Sequence, residues 1–401
     1  MTYNNAVKRI QNLPKLSNGS EHIKTVCSSL GSPQNNIKAI RICGDAGKTS
    51  CAQMLSSILS SGGYKVGYYR TGAFEDMREC IKIGEKEIPH AEFADIAKKI
   101  FDIAEITGCA ENISRNDVML IIALVYFSSL ECDAVIFEHK WGDISHLAEA
   151  PILSVITSIF DLPSLSRFDE LIPRGTKETV SCIQHKGIYE EISKACADNG
   201  CRLSLPLYAE LEVKRITLFS TRFVYRGNEY SLGAFSPCQL LNAITVIEAA
   251  HALNRLGMDI SHSDISSGIS SAHLPLMCQV LAIEPTIIVA TVSTERHLET
   301  LLASLAQVNE LLHEKLEVFV SPDAASLSAD LPSRLGSCSI ACGTPKILDL
   351  PSSSSFKAQI TDIISPIMKG EDTSYAALFI GDGKYIPELA LQIKKNLGNI
   401  I

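Results

Sequence analysis

The run from Ile37 to Tyr69 restricts the fold more than any other part of the chain. Ile37–Cys43 reads as a short buried strand, Gly44–Ser50 is the glycine-bearing loop GDAGKTS, and Ala52–Ser61 reads as a helix stopped by Gly62 and Gly63. Lys65–Tyr69 is the next strand. A strand, loop, helix and strand in this order form a β–loop–α–β unit, which commits the chain to a parallel sheet with a right-handed crossover.

The same alternation continues downstream. Ser114 or Asn116 caps an apolar helix through Phe127, and Cys132–Phe137 and Ile152–Ser158 are further strands. Thr179–Gln184, a helix over Ile188–Asp198 and a strand near Cys201–Leu205 repeat the pattern. Val213–Phe219, Arg222–Arg226 and Glu229–Leu232 are short, alternating and joined by turns, so they predict a small antiparallel patch with Gly227–Asn228 as its last turn. Gln239–Leu256 is helical again. The βα pattern restarts with a strand over Thr286–Val292, a helix over Arg296–Leu312 and strands at Leu316–Val320 and Ser337–Cys342. A helix near Phe356–Pro366, a strand at Ala376–Ile380 and a helix at Pro387–Leu397 close the chain. At 401 residues the chain is too long for one typical core. We expect a parallel-sheet domain over residues 1–280 and a smaller α/β domain over 281–401.

Composition narrows the function classes. Formal charge is −9, which argues against a dedicated nucleic-acid or anionic-membrane binder. The longest nearly pure apolar run, Leu120–Phe127, is far short of the roughly 20 residues that cross a bilayer. The first ten residues, MTYNNAVKRI, lack a secretory apolar stretch. The 13 cysteines are scattered, many inside apolar segments, as expected of free thiols in a reducing, cytoplasmic compartment. Neither Cys338 with Cys342 nor Cys196 with Cys201 has a second pair that would complete a metal cluster.

The chemistry concentrates at Gly44–Ser50. Glycines let the backbone N–H groups approach phosphate oxygens, and the following helix adds the positive end of its dipole. Lys48 would reach the terminal phosphates, and a hydroxyl of Thr49 or Ser50 would reach Mg²⁺. The longer phosphate-loop spacing needs glycine at position 42, which is Ile42. The bland alternative is an ordinary turn and helix cap. Glu138 follows a strand at its carboxyl end, where open α/β sheets place ligands, and a solvated strand terminus is its alternative. Asp161 occupies a similar end, and His139, Asp143 and His146 fit no firm zinc spacing.

These segments resemble the folylpolyglutamate synthase/dihydrofolate synthase family of the Mur ligase superfamily. The resemblance starts at YNNAVKRIQNLPKL and runs through the phosphate loop to MRECIKIGEKEIPHAEFADI, in the family's substrate-loop region. NDVMLIIALVYFSSLECDAVIFE is similar to the segment ending in the family's magnesium glutamate, here Glu138. YSLGAFSPCQLLNAITVIEAAHALNRLG is similar to the segment adjoining the adenine site, with Gln239 and Asn242 kept and Cys238 at the histidine position.

The resemblance implies a P-loop ATP-binding domain followed by a smaller Rossmann-like domain. It implies an ATP-dependent, ADP-forming ligase that joins a folate-like acid to glutamate through an acyl phosphate. Lys48 and Glu138 would be catalytic, and Gly44, Gly47, Lys48, Thr49, Ser50, Gln239 and Asn242 would bind ATP. Ser50 and Glu138 would hold Mg²⁺, and Arg78 would face the substrate, with an exposed helix charge as its alternative. A monomer acting on small molecules is expected.

The chain also departs from the family pattern. GDAGKTS replaces GTNGKGS, HKWGD replaces the glycine-rich stretch after Glu138, and Asp161-Leu162 replaces an Asp-His pair. HLPLMCQV and ATVSTE, at Ala290–Glu295, replace the PGR-type and DGAHNP-type segments. The alternative function is therefore a catalytically degenerate nucleotide-binding or regulatory protein of the same fold.

Overall fold

The computed structural model describes residues 1–15, 21–71, 76–138, 150–160, 172–274, 278–283, 286–292, 294–308, 315–327, 330–342, 344–351, 353, 355–368, 375–381 and 385–398. His139, Asp143, His146, Asp161 and Leu162 lie outside these residues. Contacts gather the chain into two compact units, Met1–Tyr208 with Asn242–Ala272, and Ala209–Leu241 with His273–Ile401.

The first unit is built on an eight-stranded sheet. Its strands are β1 (Ala39–Cys43), β2 (Val66–Arg70), β3 (Ile81–Ile83), β4 (Lys86–Glu87), β5 (Ala134–Glu138), β6 (Leu153–Ile156), β7 (Glu178–Ser181) and β8 (Arg202–Ser204). The order is β4-β3-β2-β5-β1-β6-β7-β8. From β2 to β8 every pairing is parallel, and β3 and β4 add an antiparallel edge. Side chains alternate between the sheet faces. Tyr69, Val135 and Phe137 join one core with buried residues of α1 (Tyr3–Gln11), α2 (Glu21–Ser29), α4 (His90–Ile106) and α5 (Arg115–Ser129). Tyr68, Ile136 and Glu138 take the opposite parity, on the face of α3 (Lys48–Ser61). Ser114 is the cap of α5, in a reciprocal capping box with Asp117. The unit also holds α6 (Lys186–Asp198) and α8 (His262–Ser271). Buried Glu178 is held by the Arg255 guanidinium at 2.8 and 3.1 Å. Arg255 ends α7 (Pro237–Arg255), a helix whose first residues belong to the second unit.

In the second unit β9 (Leu211–Ile216), β10 (Thr221–Tyr225) and β11 (Asn228–Leu232) form the antiparallel patch. Its last turn falls one residue earlier than expected. Arg226 and Gly227 take the left-handed conformation, with φ of 48° and 73°, and Asn228 already pairs with Tyr225. A five-stranded sheet has the order β12-β13-β16-β14-β15, with β12 at Cys278–Ile283, β13 at Thr286–Thr291, β14 at Lys315–Val320, β15 at Lys346–Ile347 and β16 at Tyr375–Gly381. β12 is antiparallel and the other pairings are parallel. Ile288 and Ala290 face a core that includes α9 (Glu295–Val308) and α10 (Leu331–Ser337). Ile287 and Val289 face α11 (Phe356–Met368) and α12 (Tyr385–Gly398). The strand expected at Ser337–Cys342 is replaced by the end of α10, a turn, and a single bridge from Cys342 to Leu316. The edge strand comes later, at Lys346. The molecule is thus α/β throughout, with mixed sheets and flanking helices. Among the described residues no helix is long and apolar enough to cross a membrane.

Candidate functional site

The loop after β1 is shaped by two glycines that nothing larger can replace. Gly44 has φ 136°, and a Cβ there would lie 2.9 Å from the Thr157 carbonyl oxygen. Gly47, the N-cap of α3, has φ 87°, and a Cβ there would meet Asn242 Oδ1 at 2.6 Å. Both positions therefore need glycine for conformation and for space. The N–H groups of the first turn of α3 point out of the helix at its positive end, the arrangement that receives anions.

Lys48 is the first residue of α3, and its ammonium donates to the carbonyls of Gly44 at 2.7 Å and Asp45 at 2.9 Å. One residue on, Thr49 Oγ1 donates to Glu138 Oε1 at 2.7 Å. The other carboxylate oxygen accepts from the Tyr68 hydroxyl. Parallel pairing of β2 with β5 sets Tyr68 beside Ile136 and Arg70 beside Glu138, which brings the phenol to the carboxylate. Burial first, and then the charge of Glu138, push the Tyr68 phenol well above its ordinary value. Burial likewise pushes the Cys43 thiol up to about 11.

The structure thus gathers Gly44, Gly47, Lys48, Thr49, Glu138 and Asn242. Ser50 is buried in the same helical turn. Gln239 is buried one turn before Asn242 on α7 and belongs to the second unit. Arg78 is clamped. Asp76 accepts from its Nε at 3.0 Å and from its Nη2 at 2.6 Å, and Glu87 lies at 3.3 Å. Burial raises the Asp76 carboxyl, but the hydrogen bonds from Arg78 and Tyr3 outweigh it and bring it down to about 2.

Sequence reading did not single out Tyr68, Thr157 or Gln184, whose side-chain amide donates to the Thr157 carbonyl at 2.9 Å. Nothing in their local spacing marks them; strand register brings them to the site. The oxygen set of Glu138 with the Thr49 hydroxyl suits a small hard cation. Among the described residues no group of three or more His, Cys, Asp or Glu converges as a self-sufficient metal cage. One carboxylate and a hydroxyl match an ion that takes its other ligands from water and phosphate.

No family model matches the chain. Its relatives include the probable bifunctional folylpolyglutamate synthase/dihydropteroate synthase of Haloferax volcanii, 24% identical over 313 residues, which are 72% of this chain and 37% of that protein. The dihydrofolate synthase/folylpolyglutamate synthase of Escherichia coli is 26% identical over 289 residues, 67% of this chain and 64% of that protein. The chain thus spans between about a third and two thirds of the length of these relatives. The solved structure of folylpolyglutamate synthetase from Lactobacillus casei superposes with a TM-score of 0.80 at 18% identity, covering 99% of this chain and 100% of that one. That likeness shows a shared fold. Sequence and architecture point the same way: the chain is homologous to folylpolyglutamate and dihydrofolate synthases.

Proposed function

We propose that the chain is an ATP-dependent, ADP-forming carboxylate–amine ligase, acting on a folate-like acid and glutamate. The observation that carries this reading is the Thr49–Glu138 contact at 2.7 Å beside a lysine-bearing glycine loop. It sets a carboxylate, a hydroxyl and an ammonium around one helix amino terminus, as polyphosphate binding requires. The parallel-sheet unit is then an ATP-binding P-loop domain, and the five-stranded unit a Rossmann-like domain. In this reaction class the acid's carboxylate attacks the terminal phosphorus and ADP leaves. The amine then displaces phosphate from the acyl carbon, giving an amide.

Gly44 turns the loop, Gly47 and the first turn of α3 cradle the phosphates, and Lys48 offsets their charge as it moves toward the leaving oxygen. Asn242 and Gln239 serve the nucleotide from α7. Glu138 and Ser50 would hold Mg²⁺, with the Thr49 hydroxyl beside them, and the ion would supply neutralisation of phosphate charge.

A second reading, nucleotide binding without ligation, is favoured by Arg78. Its guanidinium is already taken by Asp76 and Glu87, so recruiting it to a substrate carboxylate means breaking a charge-assisted clamp.

The test incubates the purified chain with ATP, Mg²⁺, glutamate and a pteroate or folate acid, then follows ADP and the amide by mass spectrometry. Ligation predicts substrate-dependent ADP and product, both abolished in Lys48→Ala. Binding of ATP with no product would support the second reading. Nucleotide affinity unchanged in Lys48→Ala would overturn both.

A further inference from the structure

The loop carries an oddity for a polyphosphate site, because Asp45 places a carboxylate inside it, where like charge repels. We propose that Asp45 is a positioning residue that latches the phosphate loop to the strand end at Thr157–Phe160. This rests on the nucleotide reading above. Its Oδ2 accepts the Phe160 N–H at 2.8 Å, so the carboxylate serves a backbone donor of the neighbouring segment.

The latch does not stand alone. The N–H groups of Asp45 and Ala46 both donate to the Ser158 carbonyl, at 2.8 and 3.3 Å. Thr157 donates back to the Cys43 carbonyl through its N–H at 2.8 Å and its hydroxyl at 3.1 Å. Gln184, beyond β7, secures the far side of the segment: its amide donates to the Thr157 carbonyl at 2.9 Å, and its Oε1 accepts the Ile159 N–H at 3.2 Å. The carboxyl ends of β1, β6 and β7 are thereby laced together. Two loop amides are turned toward Ser158, and the anion cradle is left to the residues from Gly47 onward. The Asp45 carboxylate closes this lacing and fixes where the cradle begins.

The closing experiment uses the full chain and ADP as the probe, with and without Mg²⁺. Wild type, Asp45→Asn, Asp45→Ala, Gln184→Ala and Lys48→Ala are compared, together with hydrogen exchange across residues 157–160. Asn keeps an acceptor and loses the charge. We expect Asp45→Ala to weaken ADP about tenfold and Asp45→Asn to stay within about threefold, as for one charge-assisted hydrogen bond lost or merely neutralised. Phe160 amide protection should fall in Asp45→Ala and persist in Asp45→Asn. Gln184→Ala, which loosens the segment from its other side, should weaken ADP in the same direction; this holds the test open if Asp45→Ala does not fold. Equal or tighter ADP binding by Asp45→Ala would overturn the proposal. So would unchanged affinity in Gln184→Ala, or Asp45→Asn as weak as Asp45→Ala. Loss of the Mg²⁺ dependence in Asp45→Asn alone would reassign the carboxylate to the metal and also overturn it. If wild type binds no ADP, the nucleotide reading fails while hydrogen exchange still decides the latch: protection lost only in Asp45→Ala upholds it, and unchanged protection sinks it.

Discussion

Glu138 is only 8% exposed and has a hydroxyl on each carboxylate oxygen, Thr49 on one and Tyr68 on the other. Removing one of them has a definite cost. Tyr68→Phe keeps the ring and strands a buried carboxylate oxygen, so unfolding free energy should fall by about 1–3 kcal/mol in urea titrations. Stability equal to wild type would mean that the phenol contributes nothing to holding Glu138. At this scale the glycines, Lys48 and Glu138 were legible, because turn chemistry and a strand's carboxyl end leave local marks in a sequence. Tyr68, Thr157 and Gln184 were not, because only the parallel registers of β2 with β5 and of β6 with β1 and β7 bring them in. Arg78 read as a choice between substrate and solvent. The structure pairs it with Asp76, two residues back at the cap of its own short helix, and with Glu87, nine residues on, which the β3–β4 hairpin brings in.

Among the elements, α3 links the loop to the core, and its packing leaves little tolerance. Gly268 of α8 sits against the backbone of Ile58, where an added Cβ would lie 2.5 Å from the Ile58 nitrogen. Backbone cannot swing aside as a side chain can, so Gly268→Ala must part the two helices. We expect a loss of about 1–3 kcal/mol, read as a lowered thermal midpoint. An unchanged midpoint would show that the helix pair has slack. The elements with a clear hydrophobic period were readable: β1, α3, β2, α5 and β5 fall within a few residues of their expected places. The failures are local ambiguities. Ser337–Cys342 is apolar enough for a strand, yet Leu331 and Leu335, four apart, bury one side of a helix that ends there. The antiparallel strand β12 was missed because it borders a segment read as a domain boundary.

At the scale of the whole molecule, the cysteines test the compartment argument. None of the 13 forms a disulfide, and nine are buried. Burial pushes Cys27, Cys132 and Cys182 up to about 11, as it does Cys43. At pH 8 roughly one such thiol in a thousand is the reactive thiolate. Native protein should therefore label quickly at exposed Cys238 and slowly at Cys27, Cys43, Cys132 and Cys182, while denatured protein titrates 13 thiols with or without reductant. Rapid labelling of Cys27 or Cys43 in the native state would contradict this packing.

The two stops that shape the glycine loop come from far along the chain, Thr157 against Gly44 and Asn242 against Gly47. A ribosome emitting this polypeptide releases the loop nearly two hundred residues before its second stop. Contacts so distant in sequence close late. On the nucleotide reading proposed above, the nascent protein should therefore stay blind to nucleotide until α7 has emerged, so the site itself would report when its second stop has docked.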